Sequence, residues 1–240
     1  MPIEKLLLKL RQRDDVSAAE ERALRAVVEP PQRVPARTVL IREGEPLNRS
    51  TLLSEGLMGR FKDMRDGERQ ISQLHISGDF LDLHSFTLKS IDHGVVALTD
   101  CQTSWASHAA LEELTAEHPH LGRLLWMTTN LDAAMHRAWE VSLGRRDGLS
   151  RTAHLLCELH VRLGVVGMAE EDGYPLPLIQ VDLAECLGLT AVHMNRVLRE
   201  LRERRLVTFR SGRVQIHDLA GLRWAAEFTP GYLFLDKKPR

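Results

Sequence analysis

Cysteine is scarce: Cys101, Cys157 and Cys186 are three residues in a chain of 240. An odd, scattered set makes no disulfide framework and suits a reducing compartment. Long apolar runs are missing too, and none approaches the ~18 residues that would span a bilayer. The opening MPIEKLLLKLRQRDD is apolar only briefly, is broken by Lys9 and lacks a small-residue cleavage site. It reads as an amphipathic helix over Met1–Arg13, not as a signal peptide. Excess charge of one sign is absent, the net being −1, so any affinity for nucleic acid must come from a local patch. G-x-S-x-G, the P-loop and H-E-x-x-H are all absent, and no enzymatic constellation emerges. The expectation is a cytoplasmic, non-membrane, non-enzymatic protein.

What is present is an ordinary globular composition, 43% hydrophobic and 27% charged, at a length that suggests more than one folding unit. The densest information lies in Gln180–Arg205, QVDLAECLGLTAVHMNRVLRELRERR. Leu183, Ala184 and Leu187 give a first apolar helix face. Gly188 follows, suited to a left-handed cap. Thr190 is an N-cap for a second helix from about Ala191 to Arg204, with Met194, Val197, Leu198 and Leu201 on its inner side. The first helix has Ile179 where a hydroxyl N-cap is usual, so its start is expected to be shifted or capped by water.

Between Leu189 and Arg213 there are seven arginines (196, 199, 202, 204, 205, 210, 213) against Glu200 and Glu203. A solvated helix face is the bland explanation of such a run. Here the charge sits beside a turn motif and ahead of two β-prone runs, Leu206–Phe209 and Val214–Ile216, joined by Arg210-Ser211-Gly212-Arg213. This is the pattern of a winged helix-turn-helix. The candidate DNA contacts are Thr190, Ala191, Val192, His193, Asn195, Arg196 and Arg199 on the helix and Arg210, Ser211, Gly212 and Arg213 on the wing.

Upstream, short strands are expected at Thr38–Ile41, Thr51–Ser54, Leu57–Asp63, Gln70–His75, Val95–Thr99 and Thr103–Ala106, with Gly-bearing turns between them. A helix is expected at His108–Glu117 and a longer one from Pro119 to about Gly144. Along it, Leu121, Leu124, Thr128, Leu131, Met135, Ala138 and Ser142 alternate at three and four, the spacing of a dimer seam. A core helix packed within one protomer is the alternative. Gly144–Gly148 is a hinge candidate, followed by a helix at Leu149–Leu163.

In this order the pieces resemble the Crp/Fnr superfamily of bacterial transcription regulators. The resemblance rests on LIREGEP (Leu40–Pro46), LLSEGLMGRFKDMRDGERQI (Leu52–Ile71), Gly78-Asp79-Phe80, LAECLGLTAVHMNRVLREL (Leu183–Leu201) and RRLVTFRSGRVQI (Arg204–Ile216). HGVVALTDC and the tail FTPGYLFL look like a proteobacterial branch. The resemblance implies an α+β protein divided into a cyclic-nucleotide-binding-like β-roll (1–118), a dimerisation helix and hinge (119–146) and a winged helix-turn-helix (147–240). It further implies a homodimer on near-palindromic double-stranded DNA, RNA polymerase as a partner, and a small-molecule effector held near Phe80, Leu81, Asp82, Leu83, His84, Ser85 and His93.

Three departures matter. The glycine-glutamate pair of cyclic-AMP-binding members falls on Asp82 and Leu83. No arginine occupies the later segment Ser90–Gly94 to neutralise a phosphate, so cyclic AMP is not the expected effector. Nothing before Cys101 is a cysteine, which removes the usual iron–sulfur cluster, and no cofactor is assigned. At the DNA-reading turn the usual arginine-glutamate or glutamate-serine residues are replaced by Ala191, Val192 and His193, with Arg196 kept. The rival readings are a member that needs no effector and a cyclic-nucleotide-like module acting through protein contacts. His154, Cys157 and His160 (H-x-x-C-x-x-H) spread over a helix surface and read as core rather than metal ligands. His118 and His120 read as exposed helix-entry residues, and His84 and His93 as candidates for haem binding or pH sensing.

Overall fold

The protein opens with two helices, α1 (Glu4–Arg11) and α2 (Ala18–Val27). This computed structural model describes residues 2–240, so the first residue of the expected opening helix lies outside it. The second helix was unexpected, yet it begins with a capping box: Ser17 accepts from the Glu20 N–H while the Glu20 carboxylate accepts from the Ser17 N–H.

Seven strands follow: β1 (Gln32–Val34), β2 (Val39–Ile41), β3 (Arg49–Glu55), β4 (Met58–Asp63), β5 (Arg69–His75), β6 (Gly94–Ala97) and β7 (Cys101–Ser107). They form a three-stranded sheet in the order β1-β7-β3 and a four-stranded sheet in the order β2-β6-β4-β5. The short helix α3 (Ser85–Leu88) interrupts the run, and α4 (His108–Glu117) closes it with Ser107 as N-cap. Successive side chains on a strand point to opposite faces. Leu52 accordingly enters a core with Leu6, Leu10, Leu24, Leu111 and Leu124, while Leu53 enters another with Met58, Leu81, Val95 and Ala97. Phe80 and Leu81 divide in the same way. At Gly78 the α1 backbone comes so near that a Cβ would lie 2.6 Å from the Lys5 carbonyl carbon, so only glycine fits this turn.

The long helix α5 (Pro119–Arg145) leads to α6 (Gly148–Val165), capped by Asp147, which accepts from the Ser150 N–H at 2.8 Å. The remaining elements are β8 (Gly173–Pro175), α7 (Gln180–Leu187), α8 (Ala191–Glu203), β9 (Val207–Arg210), β10 (Arg213–Ile216), α9 (Leu219–Ala225) and a 3-10 turn at Pro230–Leu233.

The seam expected along α5 needs correction. Leu121 and Leu124 are fully buried inside their own protomer, packed with α1, α2 and α4 residues, so no partner helix can bury them further. Met135 and Ser142 are buried as well, and Thr128, Leu131 and Ala138 are half-buried. Between Trp126 and Gly144 the open positions are Trp126, Asn130, Ala133, Arg137, Glu140, Val141 and Gly144, with Trp126 68% exposed. All but Val141 lie two residues on from the expected stripe, about 200° round the helix and so on its opposite face.

Two compact units emerge. One comprises Met1–Lys62, Leu74–Ala134 and Phe234–Arg240; the other comprises Asp63–Gln73 and Met135–Leu233. In the first, the C-terminal tail lies along the end of α1: the Gln12 amide donates to the Leu235 carbonyl at 3.2 Å and the Lys238 N–H to Arg13 O at 2.9 Å. In the second, α8 and α9 pack on α6.

Candidate nucleic-acid interface

The α7–turn–α8 unit is built by caps and one glycine. Gly188 sits at φ +59° and ends α7 as anticipated. Thr190 caps α8 by accepting from the His193 N–H at 3.2 Å. The start of α7 is not shifted: Asp182 supplies the cap, its Oδ2 accepting from the Ile179 N–H at 3.1 Å. Met194, Val197, Leu198 and Leu201 are buried on the inner side of α8.

The outer side of α8 is open. Thr190, Ala191, Val192, Asn195, Arg196 and Arg199 are exposed, Val192 at 81%. Asn195 donates to the Gln180 side chain at 3.2 Å. Arg199 lies 3.7 Å from Glu203, and Arg204 pairs with Glu200. Among the described residues Arg196 has no ion-pair partner, which leaves its planar fork of donors available. His193 differs from its neighbours. It is half-buried, and a Cβ on Gly148 would stand 3.0 Å from its Nε2.

The wing has a shorter loop than the sequence suggested. Strand pairing runs through Arg210↔Arg213, leaving Ser211 and Gly212 as a two-residue loop with φ of +51° and +70°, the hairpin geometry that matches strand twist. The third strand, β8, pairs with β10 and was not anticipated. Arg210 and Ser211 are exposed at the tip, while Arg213 is tied to Glu170.

The same unit holds a buried carboxylate. Glu158 accepts from the Trp139 indole at 3.2 Å, from Arg162 at 2.9 Å and from the Tyr232 hydroxyl at 2.8 Å. Burial and the Glu158 charge push the Tyr232 hydroxyl pKa up. His154, Cys157 and His160 do not converge. His154 packs on Phe228 and Tyr232, and burial lowers its pKa to about 4. Cys157 is buried and pushed up to about 12, whereas His160 pairs with the Glu170 carbonyl.

A Crp-like helix-turn-helix domain model matches residues 150–224, and a cyclic nucleotide-binding domain model matches residues 31–118. The nitrogen fixation regulation protein FixK of Bradyrhizobium diazoefficiens is 30% identical over 171 residues, covering 69% of either chain. The chain belongs to the Crp/Fnr family of transcription regulators. FnrL of Cereibacter sphaeroides, a transcriptional activator protein, is 29% identical over 193 residues, 78% of this chain and 76% of that one. The solved structure of FixK2 from Bradyrhizobium japonicum shares the fold at a TM-score of 0.74 and 22% identity, covering 82% of this chain and 96% of that one. In this Crp/Fnr regulator the helix-turn-helix domain model spans α7, α8 and the β9–β10 hairpin.

Its cyclic-nucleotide-binding-like roll is packed by its own residues. Phe80 and Leu83 join one core cluster and Leu81 the other. Asp82 is fully buried; its Oδ1 accepts from the Thr51 N–H at 2.5 Å, and its Oδ2 has no hydrogen-bond partner among the described residues. Burial raises the Asp82 pKa to about 7 against the opposing Thr51 hydrogen bond and Arg60 charge. Arg60 on β4 donates to the Leu81 carbonyl at 2.7 Å and to Asp132 of α5 at 2.7 Å. Ser85 is buried beside His108, at 3.2 Å. His84 and His93 lie with ring centroids 5.3 Å apart and ring planes tilted by 37°, and His93 pairs with Asp92. All three cysteines are free and buried.

His120 corrects another expectation. It is half-buried rather than exposed, held between Glu20 at 2.6 Å and Asp14 at 3.2 Å. Nothing in the residue spacing signalled that clamp, nor the Glu158 cluster.

Proposed function

We propose that this Crp/Fnr regulator works in the cytoplasm as a homodimer on near-palindromic duplex DNA, and as an activator that touches RNA polymerase. The functional division is a sensor roll (1–118), a dimerisation helix with hinge (119–146) and a DNA-binding domain (147–240). The observation that carries the DNA-reading assignment is the open N-terminal half of α8, where Val192 is 81% exposed and Arg196 has no ion-pair partner among the described residues.

Arg196 supplies a bidentate contact to guanine, and Ala191 or Val192 meets a thymine methyl. Thr190, Asn195, Arg199 and the wing residues Arg210, Ser211, Gly212 and Arg213 contact sugar and phosphate. His193, packed beside Gly148, belongs with the backbone contacts rather than the base edges. Dimerisation uses Trp126, Asn130, Ala133, Arg137 and Val141 in place of the fully buried Leu121 and Leu124.

Site selection with wild type and Arg196→Ala tests the reading. The variant should lose about 1–3 kcal/mol of binding and relax preference at one base pair. Unchanged base preference would remove Arg196 from the reading set.

A second reading concerns the signal. With Asp82 buried and hydrogen-bonded to Thr51, the roll supports a regulator set by its abundance rather than by cyclic AMP.

A further inference from the structure

The last turn of α7 poses an accounting problem. The final carbonyls of a helix lack intrahelical partners and must be met from elsewhere. Ala184 O is met by the N–H groups of Gly188 and Leu189 in the turn itself. Leu187 O is met from α6 by the Arg151 guanidinium at 2.5 Å. The two carbonyls between them, Glu185 O and Cys186 O, are met by one residue from a distant part of the sequence. The Gln70 Nε2 donates to them at 2.7 and 3.3 Å, sharing its two hydrogens with the Ile71 carbonyl of its own strand at 2.9 Å.

Gln70 is the second residue of β5, next to the turn of the β4–β5 hairpin. By sequence that hairpin belongs to the roll, but residues 63–73 pack with 135–233 as part of the same compact unit. The Gln70 amide also meets the turn glycine: a Cβ built on Gly188 would sit 3.4 Å from Gln70 Oε1 and 3.6 Å from Arg151 Nη1. Gln70 and Arg151 thus hold the single left-handed residue that sets the angle between α7 and α8. Docking of the hairpin does not mask α8. The hollow between them is lined by Met64, Glu68 and Arg69 on one side and by Gly188, Thr190 and Ala191 on the other, while Val192, Asn195, Arg196 and Arg199 stay exposed.

We propose that Gln70 is a positioning residue for DNA recognition: its amide, supplied by the β4–β5 hairpin, caps the C-terminal end of α7 and fixes the α7–α8 turn in its DNA-reading geometry. The proposal rests on the reading of α8 as the helix that contacts bases. It makes the hairpin a point at which a local displacement changes DNA affinity, because a shifted Gln70 leaves two helix-end carbonyls to water and frees the turn.

The test uses the full-length protein and the duplex recovered by site selection. Gln70→Ala removes the donor, and Gln70→Glu keeps the shape while placing a carboxylate against two carbonyls. Each should weaken specific binding about tenfold, leave binding to random duplex nearly unchanged, and speed amide exchange at residues 188–191. Gln70→Arg, which restores donors, should recover most of the specific affinity. Unfolding temperatures of all three variants should stay within a few degrees of wild type, separating positioning from loss of fold. Wild-type specific affinity in Gln70→Glu, or equal losses on specific and random duplex, would overturn the proposal. Arg196→Ala serves as the control: if it binds the selected duplex like wild type, the base-contact reading itself has failed rather than the role of Gln70.

Discussion

The Glu158 carboxylate accepts from the Trp139 indole across the α5–α6 junction, and both residues are buried. Arg162 and Tyr232 donate to the same carboxylate, so helix α6, the end of α5 and the 3-10 turn share one charge. Replacing Glu158 with Ala removes a carboxylate partner from the Arg162 guanidinium, which is itself buried. Breaking one partner of such a pair costs about 3–5 kcal/mol. Denaturant unfolding should show a loss of that size in Glu158→Ala and a smaller one in Glu158→Gln. A loss below about 1 kcal/mol would mean that the cluster is not structural.

His120 gives the fold a pH dependence of defined sign. Burial opposes its protonation, but hydrogen bonds and charge from Glu20 and Asp14 outweigh this and raise its pKa above 6.5. A raised folded pKa contributes stability that is complete below the unfolded value and fades as pH rises through the folded value. The stability difference between wild type and His120→Asn should therefore be largest near pH 6 and shrink towards pH 9. A difference that grew with pH would reverse the assignment.

Much of this architecture was legible in the sequence, for local reasons. Gly188 and Thr190 announce a turn and a cap, and Met194, Val197 and Leu201 announce the buried side of α8, because these signals act within a few residues. The capping box Ser17–Glu20 is equally local, yet the short α2 behind it carries too weak a period to stand out. Strand β8 was illegible because three residues, one of them Pro175, carry no period. Threes and fours along α5 mark an apolar stripe but not its partner: Leu121 and Leu124 face their own protomer's core, and only packing reveals it. The reach of Gln70 to Glu185, like the meeting of His120 with Glu20, joins residues a hundred or more positions apart.

Asp82 is the reason to expect no response to cyclic AMP. With its folded pKa raised to about 7 by burial, ionising it costs stability as pH climbs from about 4 through 7. Asp82→Asn should stabilise the protein more at pH 8 than at pH 5, and millimolar cyclic AMP should leave the wild-type unfolding temperature unchanged. A clear upward shift on adding the nucleotide would contradict the packed roll.

The two faces of α5 separate by mutation. Trp126→Arg on the open face should give a folded monomer in sedimentation measurements. Leu121→Ala should instead cost the protomer about 2–5 kcal/mol of stability. A monomeric Leu121→Ala beside a dimeric Trp126→Arg would restore the stripe expected from the sequence.

The central claim is that a dimer reads DNA with α8. Its most direct measurement is footprinting of the full-length protein on the duplex that survives site selection. The account predicts two protected half-sites related by a two-fold axis, about 34–36 Å apart centre to centre, with protection at both lost in Arg196→Ala. A single asymmetric footprint, or one indifferent to Arg196, would contradict it.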